Sequence, residues 1–112
     1  FGVYQPTLAR VTQALHDNPS IKAVYSVGGG NRAIVDAFQA LERPLAVFIG
    51  HDLDQENRQL LAEEKIAAVI DHNLQVDARQ AFLHLLQFHR LCTVDPITSS
   101  QVQIVTPFNL AH

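Results

Sequence analysis

What is scarce in this sequence excludes several function classes. A single cysteine, Cys92, rules out an internal disulfide, and without a C-x-x-C pair there is no cysteine-type zinc site. The 8 Lys and Arg are scattered among 11 Asp and Glu, for a formal net charge of −3. Binding to nucleic acid normally needs a clustered basic face, so this chain by itself is not expected to bind DNA. No run approaches the ~18 apolar residues of a membrane span, and no basic-then-apolar leader opens the chain. There is no G-x-S-x-G elbow and no His partner in sequence for Cys92, so the chain is not read as an enzyme. Methionine is absent altogether and the chain opens at Phe1, so the expectation is a piece of a longer protein.

What is present suits one soluble globular unit over residues 1–112, with 47% hydrophobic residues. The organising stretch is Ala23-Val24-Tyr25-Ser26-Val27 running into Gly28-Gly29-Gly30, followed by Asn31 and an apolar pattern at helical spacing through Ile34, Ala37, Phe38 and Leu41. That order is strand, glycine turn, helix. Glycines let a ligand approach the main chain, and the free N–H groups of a helix start favour anions or hydroxyl oxygens.

The same rhythm continues along the chain. Gly2-Val3-Tyr4 reads as the tail of a strand, and Thr7 as the cap of a helix that stops at Asn18-Pro19. Leu45–Ile49 is a continuous apolar run ended by Gly50-His51-Asp52, a helix follows through Leu60, Leu61 and Glu64, and Ile66–Ile70 is a third strand ended by Asp71-His72-Asn73. Val24, Ala46 and Ala68 recur at about 22 residues, the length of a strand plus a crossover helix. The spacing predicts a parallel α/β sheet with helices on both faces. The pattern from Leu74 to Leu91 is apolar around much of its circumference and predicts a helix needing cover on more than one side, from a partner subunit or a missing lobe. After a Pro-, Thr- and Ser-rich connection from Cys92 to Ser100, a last strand through Val102–Val105 is expected at a sheet edge.

Ligands of open α/β sheets collect beyond the carboxyl ends of the parallel strands. Three turns qualify, bringing Gly30, Asn31, His51, Asp52, Asp71 and His72 into one polar rim suited to a hydroxylated ligand. Asn31 also reads as a helix N-cap. Of Asp52 and Asp54 only one can cap the next helix, which frees the other. His84 and His89 are given no role. Gly28-x-Gly30-x-x-Ala33 also satisfies a dinucleotide fingerprint, with Asp52 near the distance of a ribose-binding acid, although Gly50 and His51 intervene between strand and acid. A metal site on His51, Asp52, Asp71 and His72 lacks local ligand spacing, and neither a metal nor a cofactor is expected.

Strand, small turn, helix, strand ending Gly-x-Asp, helix, strand ending in a polar pair, helix and closing strand resembles the C-terminal lobe of the type I periplasmic-binding-protein fold, as used by LacI-family transcription regulators and sugar receptors. The resemblance spans nearly the whole chain. It implies a sugar-like effector held by Asp52, the Asp of Gly-x-Asp, with His72 at the position of a polar residue that is often Gln. Gly30 falls where the family usually has a ligand-contacting Asn, and Asn31 one position later. The Gly-Gly-Gly-Asn-Arg turn looks more like the regulators than the exported receptors. A cytoplasmic, dimeric repressor core is therefore the leading expectation, contacting DNA only through an absent helix-turn-helix headpiece, with a first lobe also absent. The alternatives are a periplasmic sugar receptor and a dinucleotide-binding domain.

Overall fold

The computed structural model describes residues 3–93 and 100–111. The element order is α1 (Tyr4–Asp17), β1 (Ala23–Tyr25), α2 (Asn31–Ala40), β2 (Val47–His51), α3 (Gln55–Ala62), β3 (Ala68–His72), α4 (Leu74–Phe88) and β4 (Val102–Val105). The strands form one sheet in the order β1-β2-β3-β4. The β1–β2 and β2–β3 pairs are parallel, as the spacing predicts, and β4 joins β3 antiparallel at the edge.

Register divides the sheet into two unlike faces. Phe48, Val69 and Val105 point to one side, where they close a core with Leu15 of α1, Ile34, Val35 and Phe38 of α2, and Leu60 and Leu61 of α3. On the other side Tyr25, Val47, Val102 and Ile104 are exposed. Only α4 is left among the described residues to form the second helical layer, and α4 buries none of its side chains. Its Leu74, Val76, Phe82, Leu85 and Phe88 are all exposed, in agreement with the reading of a helix that lacks its cover.

Three local readings are corrected. Tyr4 opens α1 instead of closing a strand, and Gly2 lies outside the described residues. Thr7 is not the cap: the helix begins at Tyr4, and Thr7 N–H already donates to Val3 O at 3.1 Å. Pro6 falls in the first turn, where its missing N–H would have found no helical partner anyway, so it does not delay the start. Asn31 does not cap α2 either; the N-cap is Gly30, with φ 82°. Most of the Cys92–Ser100 connection lies outside the described residues.

Helix ends show why the boundaries are hard to read. α2, α3 and α4 each close in a Schellman turn on a non-glycine residue with positive φ: Glu42 at 53°, Glu64 at 58° and Arg90 at 60°. The diagnostic bonds run from Arg43 N–H to Phe38 O, Lys65 N–H to Leu60 O and Leu91 N–H to Leu86 O, at 2.8–2.9 Å. Arg43 then reaches back across the fold. Its guanidinium donates to Leu15 O, Asn18 O and Ile21 O, tying the end of α1 and the loop into β1 to the end of α2.

Candidate functional site

The candidate site is the row of turns beyond the carboxyl ends of β1, β2 and β3. At the first turn, φ is positive only at Gly30. A Cβ there would lie 2.9 Å from Thr7 Oγ1, so Gly30 serves the backbone and the packing of α1. Gly28 and Gly29 have nothing within 4 Å of a Cβ, which leaves their main chain open to approach. Asn31 does not face this opening. It is buried, its Oδ1 accepts from Ser26 Oγ at 2.6 Å, and its Nδ2 donates to Asn57 Oδ1 at 2.8 Å.

The start of α2 is already occupied. Arg32 N–H, one of the orphan donors of the helix start, donates to Glu56 Oε1 of α3 at 2.9 Å. The Arg32 guanidinium meets Glu63 Oε2 at 2.9 Å, holding the Glu63 carboxyl below its ordinary range and raising Arg32 above its own. A pyrophosphate seated on this helix start would face the Glu56 carboxylate, which is unfavourable by like charge and by loss of the donor. The dinucleotide fingerprint in the sequence therefore lacks the surroundings it requires.

At the second turn the choice between two carboxylates is resolved. Asp54 caps α3, its Oδ1 accepting Asn57 N–H at 2.8 Å. Asp52 is exposed, has φ 69°, and makes no side-chain hydrogen bond among the described residues. Its own backbone is firmly held: Asp52 N–H donates to Ile70 O at 2.9 Å and Leu53 N–H to Asp71 Oδ1 at 2.8 Å. Asp71 thus supports the Asp52 turn with one carboxylate oxygen.

Both histidines belong to strand ends and not to turns, since β2 runs to His51 and β3 to His72. The register puts them on the exposed face together with Tyr25. The Tyr25 hydroxyl is hydrogen-bonded to His51 Nε2, with the rings edge to face at 5.2 Å. His72 Nδ1 lies 3.3 Å from Ser100 Oγ, which donates to Asp77 Oδ2 of α4 at 2.7 Å. Beside them a groove of about 720 Å³ opens between the ends of β3 and β4 and the start of α4, lined among others by Leu53, Asp71, His72, Gln75, Gln101 and Gln103. That volume suits a small ligand and the lining is rich in amides.

The structure thus brings Asp52, Asp71, His51 and His72 to one end of the sheet, and turns Gly30 and Asn31 inward. No group of three or more metal-ligating side chains occurs among the described residues. Tyr25, Glu56, Asn57, Gln101 and Gln103 were missed by sequence reasoning. For Asn57 a signal exists, since it follows the Asp54 cap by three residues, but an amide side chain in a first helical turn is ordinarily solvated.

No protein-family model matches the chain, and no curated protein matches it by sequence. Solved structures do. A glucose-galactose binding protein from Geobacillus stearothermophilus superposes with a TM-score of 0.78 at 16% identity, over 92% of this chain and 38% of its own. An arabinose binding protein from the same organism gives 0.73 at 17%, over 93% and 39%. An ABC transporter solute binding protein from Agrobacterium vitis, solved with bound allitol, gives 0.75 at 23%, over 96% and 39%. The chain spans about two fifths of the length of these proteins. Its fold is that of one lobe of a type I periplasmic-binding-protein-like sugar-binding protein.

Proposed function

We propose that this chain is the C-terminal lobe of a two-lobed protein that binds a sugar, sugar alcohol or sugar acid, with Asp52 as the main anchor from this half. The observation that carries the reading is the division of labour between two carboxylates: Asp54 caps α3, while Asp52 stands exposed at the end of β2 with no side-chain partner among the described residues. A carboxylate accepting two hydroxyl bonds in a closed cleft gains about 1.5–3 kcal/mol from each. His72 and His51, each with one donor and one acceptor when neutral, add weaker contacts. The exposed Gly28 and Gly29 main chain offers further donors. Similarity to proteins named for glucose-galactose, arabinose and allitol supports a polyhydroxylated ligand.

The unburied apolar side chains of α4 support a helix that belongs against a second lobe. Within this reading the leading form is the core of a cytoplasmic LacI-type regulator, dimeric and reaching DNA through a headpiece elsewhere in the protein. It rests on the Gly-Gly-Gly-Asn-Arg turn. An exported receptor is the second form, favoured by the transporter-linked proteins among the similar folds.

The test is a thermal-shift screen of pentoses, hexoses, sugar alcohols and sugar acids on the full-length protein, repeated on Asp52→Ala. A hit that stabilises the parent and not the variant is expected. A hit that stabilises both equally removes Asp52 as anchor. Retention of a duplex by the full-length protein, modulated by the same sugar, separates regulator from receptor.

A further inference from the structure

Asn57 lies on α3, buried to 1% exposure, and uses every polar atom of its side chain. Nδ2 donates to His51 O at 2.9 Å and to Asp52 O at 2.8 Å. Oδ1 accepts from Asn31 Nδ2 at 2.8 Å, and Asn31 Oδ1 in turn accepts from Ser26 Oγ at 2.6 Å. The direction of this chain is fixed from one end. Carbonyl oxygens can only accept, so the Asn57 amide has one permitted orientation, which sets that of Asn31, which requires Ser26 to donate. The relay passes over Gly50, where a Cβ would lie 3.1 Å from Asn31 Nδ2 and 3.6 Å from Asn57 Nδ2. Glycine at the first position of Gly-His-Asp therefore makes room for two amides.

We infer that Asn57 is a positioning residue for Asp52: through the buried relay from Ser26 it locks the carbonyls on either side of the Asp52 nitrogen and so couples the glycine turn to the carboxylate turn. Asp52 holds φ 69°, a conformation an L-residue keeps only when its surroundings fix it. Its N–H and the next are taken by Ile70 O and Asp71 Oδ1, and its carbonyl by Asn57, so among the described residues the carboxylate is the one polar group of Asp52 without a partner. The consequence for affinity rests on the reading of Asp52 as sugar anchor; the positioning itself does not.

The experiment is residue-resolved amide hydrogen exchange on the full-length protein without ligand, for the parent, Asn57→Asp and Ser26→Ala. Asn57→Asp is isosteric, keeps the acceptor for Asn31 and removes both donors to the turn. It is expected to speed exchange at Asp52 and Leu53 at least tenfold while Leu60 and Leu61 of α3 keep their parental rates. Ser26→Ala, at the far end, is expected to speed the same two amides about threefold. Unchanged exchange at Asp52 and Leu53 in Asn57→Asp overturns the inference; should that variant fail to fold, unchanged exchange in Ser26→Ala does so. Sugar titration of the same proteins separates the two claims. Faster exchange with affinity reduced as in Asp52→Ala supports both, whereas a normal sugar affinity in Asp52→Ala sinks the anchor reading and leaves the exchange result to decide the relay.

Discussion

Thr7 and Gly30 stand against each other, so that a Cβ on Gly30 would lie 2.9 Å from Thr7 Oγ1 and 3.3 Å from Thr7 Cβ and Cγ2. The contact joins the first turn of α1 to the glycine turn. It also separates the three glycines into one the fold requires and two it does not. Gly30→Ala is expected to cost about 1–2 kcal/mol from the positive φ alone, with the clash added. Gly28→Ala and Gly29→Ala should fall within about 0.5 kcal/mol of the parent. Urea unfolding checks the order, and a Thr7→Ala, Gly30→Ala double variant should recover the part of the clash made with Oγ1 and Cγ2 but not the φ strain.

Asp52 and Asp54 predict opposite phenotypes. Asp54→Ala removes the α3 cap and should lower stability by about 1 kcal/mol with sugar affinity little changed. Asp52→Gly relieves the positive φ and should hold or raise stability while lowering affinity tenfold or more. Calorimetric unfolding and ligand titration on the two variants check the crossing. Equal losses of affinity from both would mean that the turn, and not the Asp52 carboxylate, makes the site.

Dinucleotide binding is expected to fail because Glu56 holds the Arg32 N–H, one of the donors at the start of α2. Titration with NAD should give no saturable signal in the parent. Micromolar affinity, lost on Gly28→Val, where a Cβ meets nothing in the fold, would mean that Glu56 moves aside and that the fingerprint is functional.

The pair Arg32–Glu63 predicts a pH response of known sign. Its hydrogen bond to Arg32 lowers Glu63 from the ordinary Glu value, so the folded state binds this proton more weakly than the unfolded chain does. Its contribution is fully present above the unfolded value and is lost as pH falls through the folded one. Carboxyl NMR should place Glu63 below an ordinary Glu and return it toward that value in Arg32→Gln. The effect on stability should be small and salt-sensitive, because both groups are solvent-accessible. A Glu63 titration unmoved by Arg32→Gln would show that the pair does not persist in solution.

Helix ends offer a stabilising change. Glu42 and Glu64 hold positive φ at the Schellman position without being glycine. Glu64→Gly is expected to raise stability by up to about 1 kcal/mol, the strain relieved less the extra entropy of glycine in the unfolded chain. Denaturant unfolding with an unchanged m-value is the measure; a loss of stability would mean that the Glu64 side chain contributes more than its backbone costs.

The sequence by itself determined the order of elements from β1 onward, the parallel pairing of β1, β2 and β3, the edge position of β4 and the end of the sheet where polar residues gather, though not the start of α1, which it read as the tail of a strand. These follow from period and spacing: apolar runs of strand length, helical repeats between them, and turn residues after each strand are local signals. The unburied apolar surface of α4 was legible for the same reason, since its side chains encircle the helix. Which of Asp52 and Asp54 is free, by contrast, was decided only when the backbone set Asp54 against Asn57 N–H. The inward turn of Asn31, the occupation of the α2 start by Glu56 and the relay through Asn57 depend on side chains brought together across 24 to 26 positions of sequence. Hydrogen bonds between residues so far apart leave no period in the chain, because their geometry exists only after the strands have paired and the helices have packed upon them.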